Sequence, residues 1–123
     1  MKKLIFLFVA AVAIAWGISS CTYYENPVEP VVVPDSVKFS ANILPIFDAR
    51  CDNTGCHTTG GIKPNLSPST AYNDLYTYGL IDVDAPDQST LYMKVHTGSM
   101  AKFTVAGDAD LILKWIQQGA LDN

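Results

Sequence analysis

The chain has no cluster of basic residues. Its 123 residues hold 8 lysines and arginines against 12 aspartates and glutamates, and apart from Lys2 and Lys3 the cations stand singly. An acidic chain without a basic stripe lacks the electrostatic footprint for nucleic acid and for adhesion to anionic lipid. It also lacks a run long enough to cross a bilayer. The continuous apolar stretch at residues 4–16 falls well short of the roughly 20 residues a spanning helix needs. No segment repeats, and no pair of alternating runs joined by a tight turn marks a hairpin. Metal-ligating residue types are few, with 2 histidines and 3 cysteines.

What is present begins with Lys2, Lys3 and that short apolar run, which ends in small residues, the pattern of an export leader. Ile18-Ser19-Ser20-Cys21 resembles the lipobox of bacterial lipoproteins, which implies cleavage before Cys21 and acylation of that cysteine. The expected divisions are a signal peptide at 1–20, a lipidated Cys21 with an extended proline-containing tether at 21–36, and one domain at 37–123. Loss of Lys2 and Lys3 with the leader moves the formal charge from −4 to −6. The acyl chains, not charge, would then hold the protein in the bacterial cell envelope, facing the periplasm. Thr22 after the anchor, where an aspartate commonly retains such proteins at the inner membrane, implies the outer one.

Four helices are expected in the domain, joined by long loops. The first spans residues 41 to about 50, capped by Ser40, with Ile43, Leu44, Ile46 and Phe47 on its apolar face and Pro45 near its start. A second, capped by Thr70 or Ser69, runs through Ala71, Tyr72, Leu75 and Tyr76 and ends at Gly79. Ser89 caps a short third helix carrying Leu91, Tyr92 and Val95. The last has Asp108 and Asp110 in its first turn, a stripe of Leu111, Ile112, Trp115 and Ile116, and Gly119 at its end. The fold class is all-α.

The first helix leads into Cys51-Asp52-Asn53-Thr54-Gly55-Cys56-His57. Two thiols followed at once by an imidazole can hold a haem covalently, each sulfur adding across a vinyl group while the histidine fills an axial position on the iron. The usual signature has two residues between the cysteines; here there are four. The same two thiols could instead close a structural disulfide in an oxidising compartment, or join His57 and His96 in a zinc site. Met100 lies among Gly98, Ser99 and Ala101, in a stretch without helical period that suits a loop presenting one side chain. It could equally be a core methionine filling a gap.

A helix containing Ile-Leu-Pro-Ile-Phe before the cysteines, a proline-containing loop after His57, a short helix ending in Gly-Ser-Met and a closing Trp-Ile-x-x-Gly-Ala together resemble a small class I c-type cytochrome. The closest likeness is to single-haem domains of exported bacterial proteins, and it covers residues 37–121. The resemblance implies a cytochrome c-like fold around one haem c, with thioethers at Cys51 and Cys56, His57 as proximal ligand and Met100 as distal ligand. Where the family usually has Met-Pro, this chain has Met100-Ala101. His96 is the competing distal ligand, and an open distal site, as in a peroxidase or gas sensor, is the third possibility. With both axial positions filled the protein is an electron carrier, not an enzyme, passing single electrons between a redox donor and acceptor. The remaining alternative is a haem-free, disulfide-stapled lipoprotein acting as a binding module. Tyr72, Tyr76, Tyr78, Tyr92, Phe47, Phe103 and Trp115 read as core and haem wall, with Tyr92 or Trp115 as candidate propionate donors. Asp82, Asp84 and Asp87 read as a solvated acidic loop. The acidic balance of the whole chain implies a partner with a basic docking patch.

Overall fold

The structure, a computed structural model, describes residues 32–123; the leader, Cys21 and most of the tether lie outside the described residues. Four α-helices follow one another: α1 (Leu44–Arg50), α2 (Ala71–Thr77), α3 (Thr90–His96) and α4 (Asp108–Gln117). A π-helical turn at Phe39–Ile43 runs directly into α1, and single 3-10 turns occur at Pro86–Gln88 and Ala101–Phe103. The described residues contain no strand, so this part of the chain is all-α as its periodicity implies. None of its helices is long and apolar enough to cross a membrane.

The helix starts differ from the sequence expectation in a consistent way. Pro45 does lie in the first turn of α1, directly after the π-helical turn; having no N–H, it adds no backbone hydrogen bond at that junction. Ser40, however, is not the cap. Its amide and hydroxyl both donate to the Asn123 carbonyl, at 2.9 and 2.7 Å, while Asn42 Oδ1 receives the Lys38 amide at 2.8 Å. Ser89 precedes α3 without capping it: its hydroxyl donates to the Asp82 carbonyl and accepts the Asp82 amide. Thr70 likewise turns back to the Ser67 carbonyl. In each case the hydroxyl bonds outside its own helix; for Ser89 and Thr70 this is one of the local alternatives open to Ser and Thr.

Helices of seven to ten residues are marginal alone, so the tertiary core holds them. It is aromatic at its centre. Phe39 packs against Trp115 and Tyr72 with ring centroids 5.1 and 5.2 Å apart, and edge-on to Phe47 at 6.3 Å. Ile43, Leu75, Ile112 and Ile116 close around these rings, all fully buried. Leu111, at the edge of the α4 stripe, is only half-buried. The chain end is tied into the same core: Trp115 Nε1 donates to the Leu121 carbonyl at 2.9 Å, and the Tyr72 and Tyr76 hydroxyls both donate to the Ala120 carbonyl, at 3.0 and 2.9 Å. The other edge is stitched by Gln118, whose amide accepts from the Val37 N–H and donates to the Asp35 carbonyl. One end of α1 is thus fixed against α4, and its other end delivers Cys51.

Candidate functional site

Cys51 ends α1, its amide still bonded to the Phe47 carbonyl at 2.8 Å. The chain then turns through Gly55, whose φ of +82° favours glycine, and returns so that the His57 amide donates to the Cys51 carbonyl at 3.0 Å. Four residues between the thiols are accommodated by this turn, with the Cys56 amide on the Asn53 carbonyl. A second turn follows at once. Ile62 N–H returns to the Cys56 carbonyl and Leu66 N–H to the His57 carbonyl. A Cβ at Gly61 would collide with the Cys56 carbonyl, so that close backbone approach requires glycine.

The second turn orients His57. Nδ1 lies 2.9 Å from the Pro64 carbonyl and 3.2 Å from the Ile62 carbonyl. A carbonyl only accepts, so Nδ1 carries the proton and, in the neutral ring, Nε2 carries the free lone pair. Nε2 has no hydrogen bond among the described residues. Backbone carbonyls fix the tautomer and ring orientation of metal-ligating histidines in this way. The loop that supplies the Pro64 carbonyl is itself held from α2 and from the cysteine turn: Asn65, buried, donates its amide to Asp74 Oδ2 at 2.7 Å, and the Ser67 hydroxyl donates to Asp52 at 2.9 Å.

His57 faces a two-lobed cleft. One lobe, about 360 Å³, extends between Phe47, Leu66, Leu80 and Leu91; the other, about 220 Å³, reaches toward Phe103 and Thr104. Cys51, His57, Ile62 and Met100 line both lobes. Together they have the size and apolar lining of a cofactor site. Met100 is half-buried, ahead of the 3-10 turn Ala101–Phe103, and its amide returns to the Lys94 carbonyl at 3.0 Å. Gly98 permits this path, since a Cβ there would meet Lys94 Cα and the Met93 carbonyl at 2.9 Å. The fold therefore brings Cys51, Cys56, His57 and Met100 to one cavity. His96 is elsewhere: it is exposed, stacked on Tyr92 with centroids 4.9 Å apart and planes 13° from parallel, and lines neither lobe.

Both cleft thiols are free. Burial, with smaller contributions from the Asp108 carboxylate and the Cys56 thiol, pushes the Cys51 thiol up to about 11. In the metal-free chain Cys51 therefore ionises less readily than an ordinary thiol. No group of three or more His, Cys, Asp or Glu side chains converges on a metal position among the described residues, and with His96 turned away the four-ligand zinc arrangement is not assembled. Asp82 does not reach for a cation either; its Oδ1 accepts the Asp84 and Ala85 amides and shapes its own loop. Trp115, a candidate propionate donor, has its N–H on the Leu121 carbonyl inside the core. Pro64 is legible in the sequence only as part of the proline-containing loop after His57, because the carbonyl that orients the imidazole has no side-chain signature. Comparison with known proteins adds no family to this description: no family model, no curated protein and no solved structure matches the chain.

Proposed function

We propose that this protein is a monohaem c-type cytochrome that carries single electrons in the bacterial cell envelope. The observation that carries this reading is the His57 imidazole, held through Nδ1 by the Pro64 and Ile62 carbonyls with Nε2 free, at a cleft shared with Met100 and the two thiols. The donor set suits haem better than a bare ion, because a porphyrin supplies four equatorial nitrogens and asks only two axial ligands of the protein. When bound, the haem iron supplies a one-electron couple.

The chain's own residues would do the rest. Each of Cys51 and Cys56 would add its S–H across a vinyl group, sulfur to one carbon and hydrogen to the other, so that attachment involves no net oxidation. His57 would hold the iron through Nε2, and Met100, a weak thioether donor, would favour the reduced state and raise the potential. Phe47, Leu66, Leu80 and Leu91 would exclude water from the larger lobe. If His57 and Met100 both hold the iron, they would leave no place for peroxide or dioxygen, which is what a carrier requires. A cytochrome c-like fold belongs to the same proposal. Acylation at Cys21 would tether it to the outer membrane, on the periplasmic side, within reach of a donor and an acceptor.

The test is an optical spectrum, oxidised and reduced, of the full chain made in a host with cytochrome c maturation. Haem that stays attached through denaturation, with the oxidised-state band of an iron–methionine bond, is the expected result. Attached haem that binds carbon monoxide or cyanide would replace the carrier with an open-site protein. A colourless chain with no free thiols, from a host that matures a control cytochrome, would overturn the proposal in favour of the disulfide-stapled module.

A further inference from the structure

The carbonyl that orients His57 has a carboxylate behind it. Pro64 C=O, which accepts the Nδ1–H at 2.9 Å, and Asn65 N–H, which donates to Asp74 Oδ2 at 2.7 Å, are the two ends of one peptide group. A line of hydrogen bonds therefore runs from a carboxylate on α2 through a single peptide to the imidazole. Each member of the line is held. Asp74 stands in the first turn of α2, between the fully buried Ala71 and Leu75, and its side chain is only 19% exposed. Asn65 is buried; its Oδ1 accepts the Ser67 amide at 3.0 Å and its Nδ2 donates to the Thr59 hydroxyl at 3.3 Å. The second acceptor of Nδ1–H is built differently. The Ile62 carbonyl is farther away, at 3.2 Å, and the Lys63 N–H at the other end of its peptide meets no carboxylate among the described residues.

We infer that Asp74 is a positioning residue for His57, acting through the Pro64–Asn65 peptide to make the imidazole a stronger donor at Nε2. The inference rests on the electron-carrier reading of the cleft and names the group that would hold its potential down. Amide resonance gives the C–N bond partial double-bond character and leaves negative charge on the oxygen. A carboxylate on the N–H favours that charge-separated form, so the Pro64 oxygen pulls harder on the Nδ1 proton. Hydrogen bonds in a chain strengthen one another by roughly 10–30% each, and a link to a carboxylate is about twice as strong as a neutral one. A stronger pull on Nδ1–H raises the basicity of the ring at Nε2. Such a ligand favours oxidised iron, which opposes the effect of the Met100 thioether. Lys63 moderates the effect without cancelling it. Its Nζ lies 3.4 Å from the same Asp74 oxygen, but the side chain is 58% exposed and its charge is screened by water.

Two measurements on the full chain test this. The first is a potentiometric titration of the haem-loaded protein. Asp74→Asn keeps an acceptor for the Asn65 amide and removes the charge; it should move the balance toward the reduced form about fivefold, which is about 40 mV at about 59 mV per tenfold. Asp52→Asn removes a carboxylate that bonds the Ser67 hydroxyl and not this peptide, and should move the balance less than about twofold. Equal shifts in the two variants would overturn the inference, since nearby charge alone would then account for both. The second measurement needs no iron. Nuclear magnetic resonance of the imidazole nitrogens in the haem-free chain, at a pH where both rings are neutral, reads which nitrogen carries the proton. Asp74→Asn should lower the ratio of Nδ1–H to Nε2–H at His57 about threefold and leave His96, the other histidine, unchanged on its Tyr92 stack. Lys63→Gln frees the carboxylate from its competing ammonium and should raise the ratio; it is the variant to read should Asp74→Asn not fold. An unchanged ratio in the variant read would overturn the inference. A shifted ratio in a chain that takes up no haem would keep the Asp74 line and remove the electron-carrier reading. Haem uptake with an unchanged ratio would keep the carrier and remove the line.

Discussion

The burial of Cys51 makes a quantitative prediction about the chain before any haem is attached. A thiol raised from 9.0 to about 11 holds roughly a hundredfold less thiolate at pH 8 than an ordinary one. A thiolate of higher pKa is also the better nucleophile, with a Brønsted slope of about 0.4–0.5, which returns a factor of six to ten. The net expectation is alkylation by iodoacetamide about tenfold slower than for a free peptide thiol. The assay uses Cys56→Ser chain from a host without haem maturation, so that Cys51 reacts alone among the cleft thiols, with the adduct located by peptide mass. Its rate should keep rising with pH through about 11 instead of levelling near 9. Asp108→Asn removes the second cause of the shift and should recover part of the rate, although loss of the carboxylate that accepts the Val105 amide calls for a circular dichroism control. The sign of the linked stability follows. Below pH 9 folded and unfolded thiols are both protonated and the contribution is constant; between 9 and about 11 the unfolded chain ionises first, so stability falls as pH rises. Alkylation at the rate of a free thiol, levelling near pH 9, would refute the half-buried placement of Cys51 against the cleft wall.

Three further outcomes follow from the geometry. Met100→Leu keeps apolar volume and should leave stability within about 1.5 kcal/mol by urea unfolding, yet should abolish the iron–methionine band and lower the potential of the loaded protein; His96→Ala, which removes only a surface stack on Tyr92, should change neither. Gly61→Ala places a Cβ against the Cys56 carbonyl and should destabilise the fold by about 1–3 kcal/mol, read as a lower thermal midpoint; an unchanged midpoint would mean that the turn holding His57 is looser than drawn. Trp115→Ala removes the central core ring, 1% exposed, and should cost about 3–5 kcal/mol. Trp115→Phe, which keeps the ring but strands the Leu121 carbonyl, should cost less, on the order of 1–2 kcal/mol, and the reverse order by denaturant unfolding would contradict this account of the core.

The local elements were legible because their causes are local. Apolar spacing placed all four helices, although the first begins at Leu44 after a π-helical turn and not at Ala41; Pro45 fell in the first turn of α1, and Gly79 and Gly119 take the positive φ expected beyond helix ends. The cap assignments for Ser40, Ser89 and Thr70 missed because each hydroxyl takes a carbonyl outside its own helix: Thr70 takes that of Ser67, 3 residues back, and Ser89 takes that of Asp82, 7 residues back. For Ser40 that carbonyl belongs to Asn123, 83 residues away. The sequence offered two distal candidates four residues apart, Met100 and His96. The tight turn at Gly98 separates them, carrying Met100 into the cleft while α3 holds His96 against Tyr92.

By itself the sequence determined the all-helical class, the order of the helices and the adjacency of two thiols and an imidazole, since period, breaker residues and spacing act over one or two turns. Only the tertiary structure decided that the Pro64 carbonyl sets the His57 tautomer and that Met100 shares the His57 cleft. Those outcomes depend on which distant segments meet when the aromatic core closes.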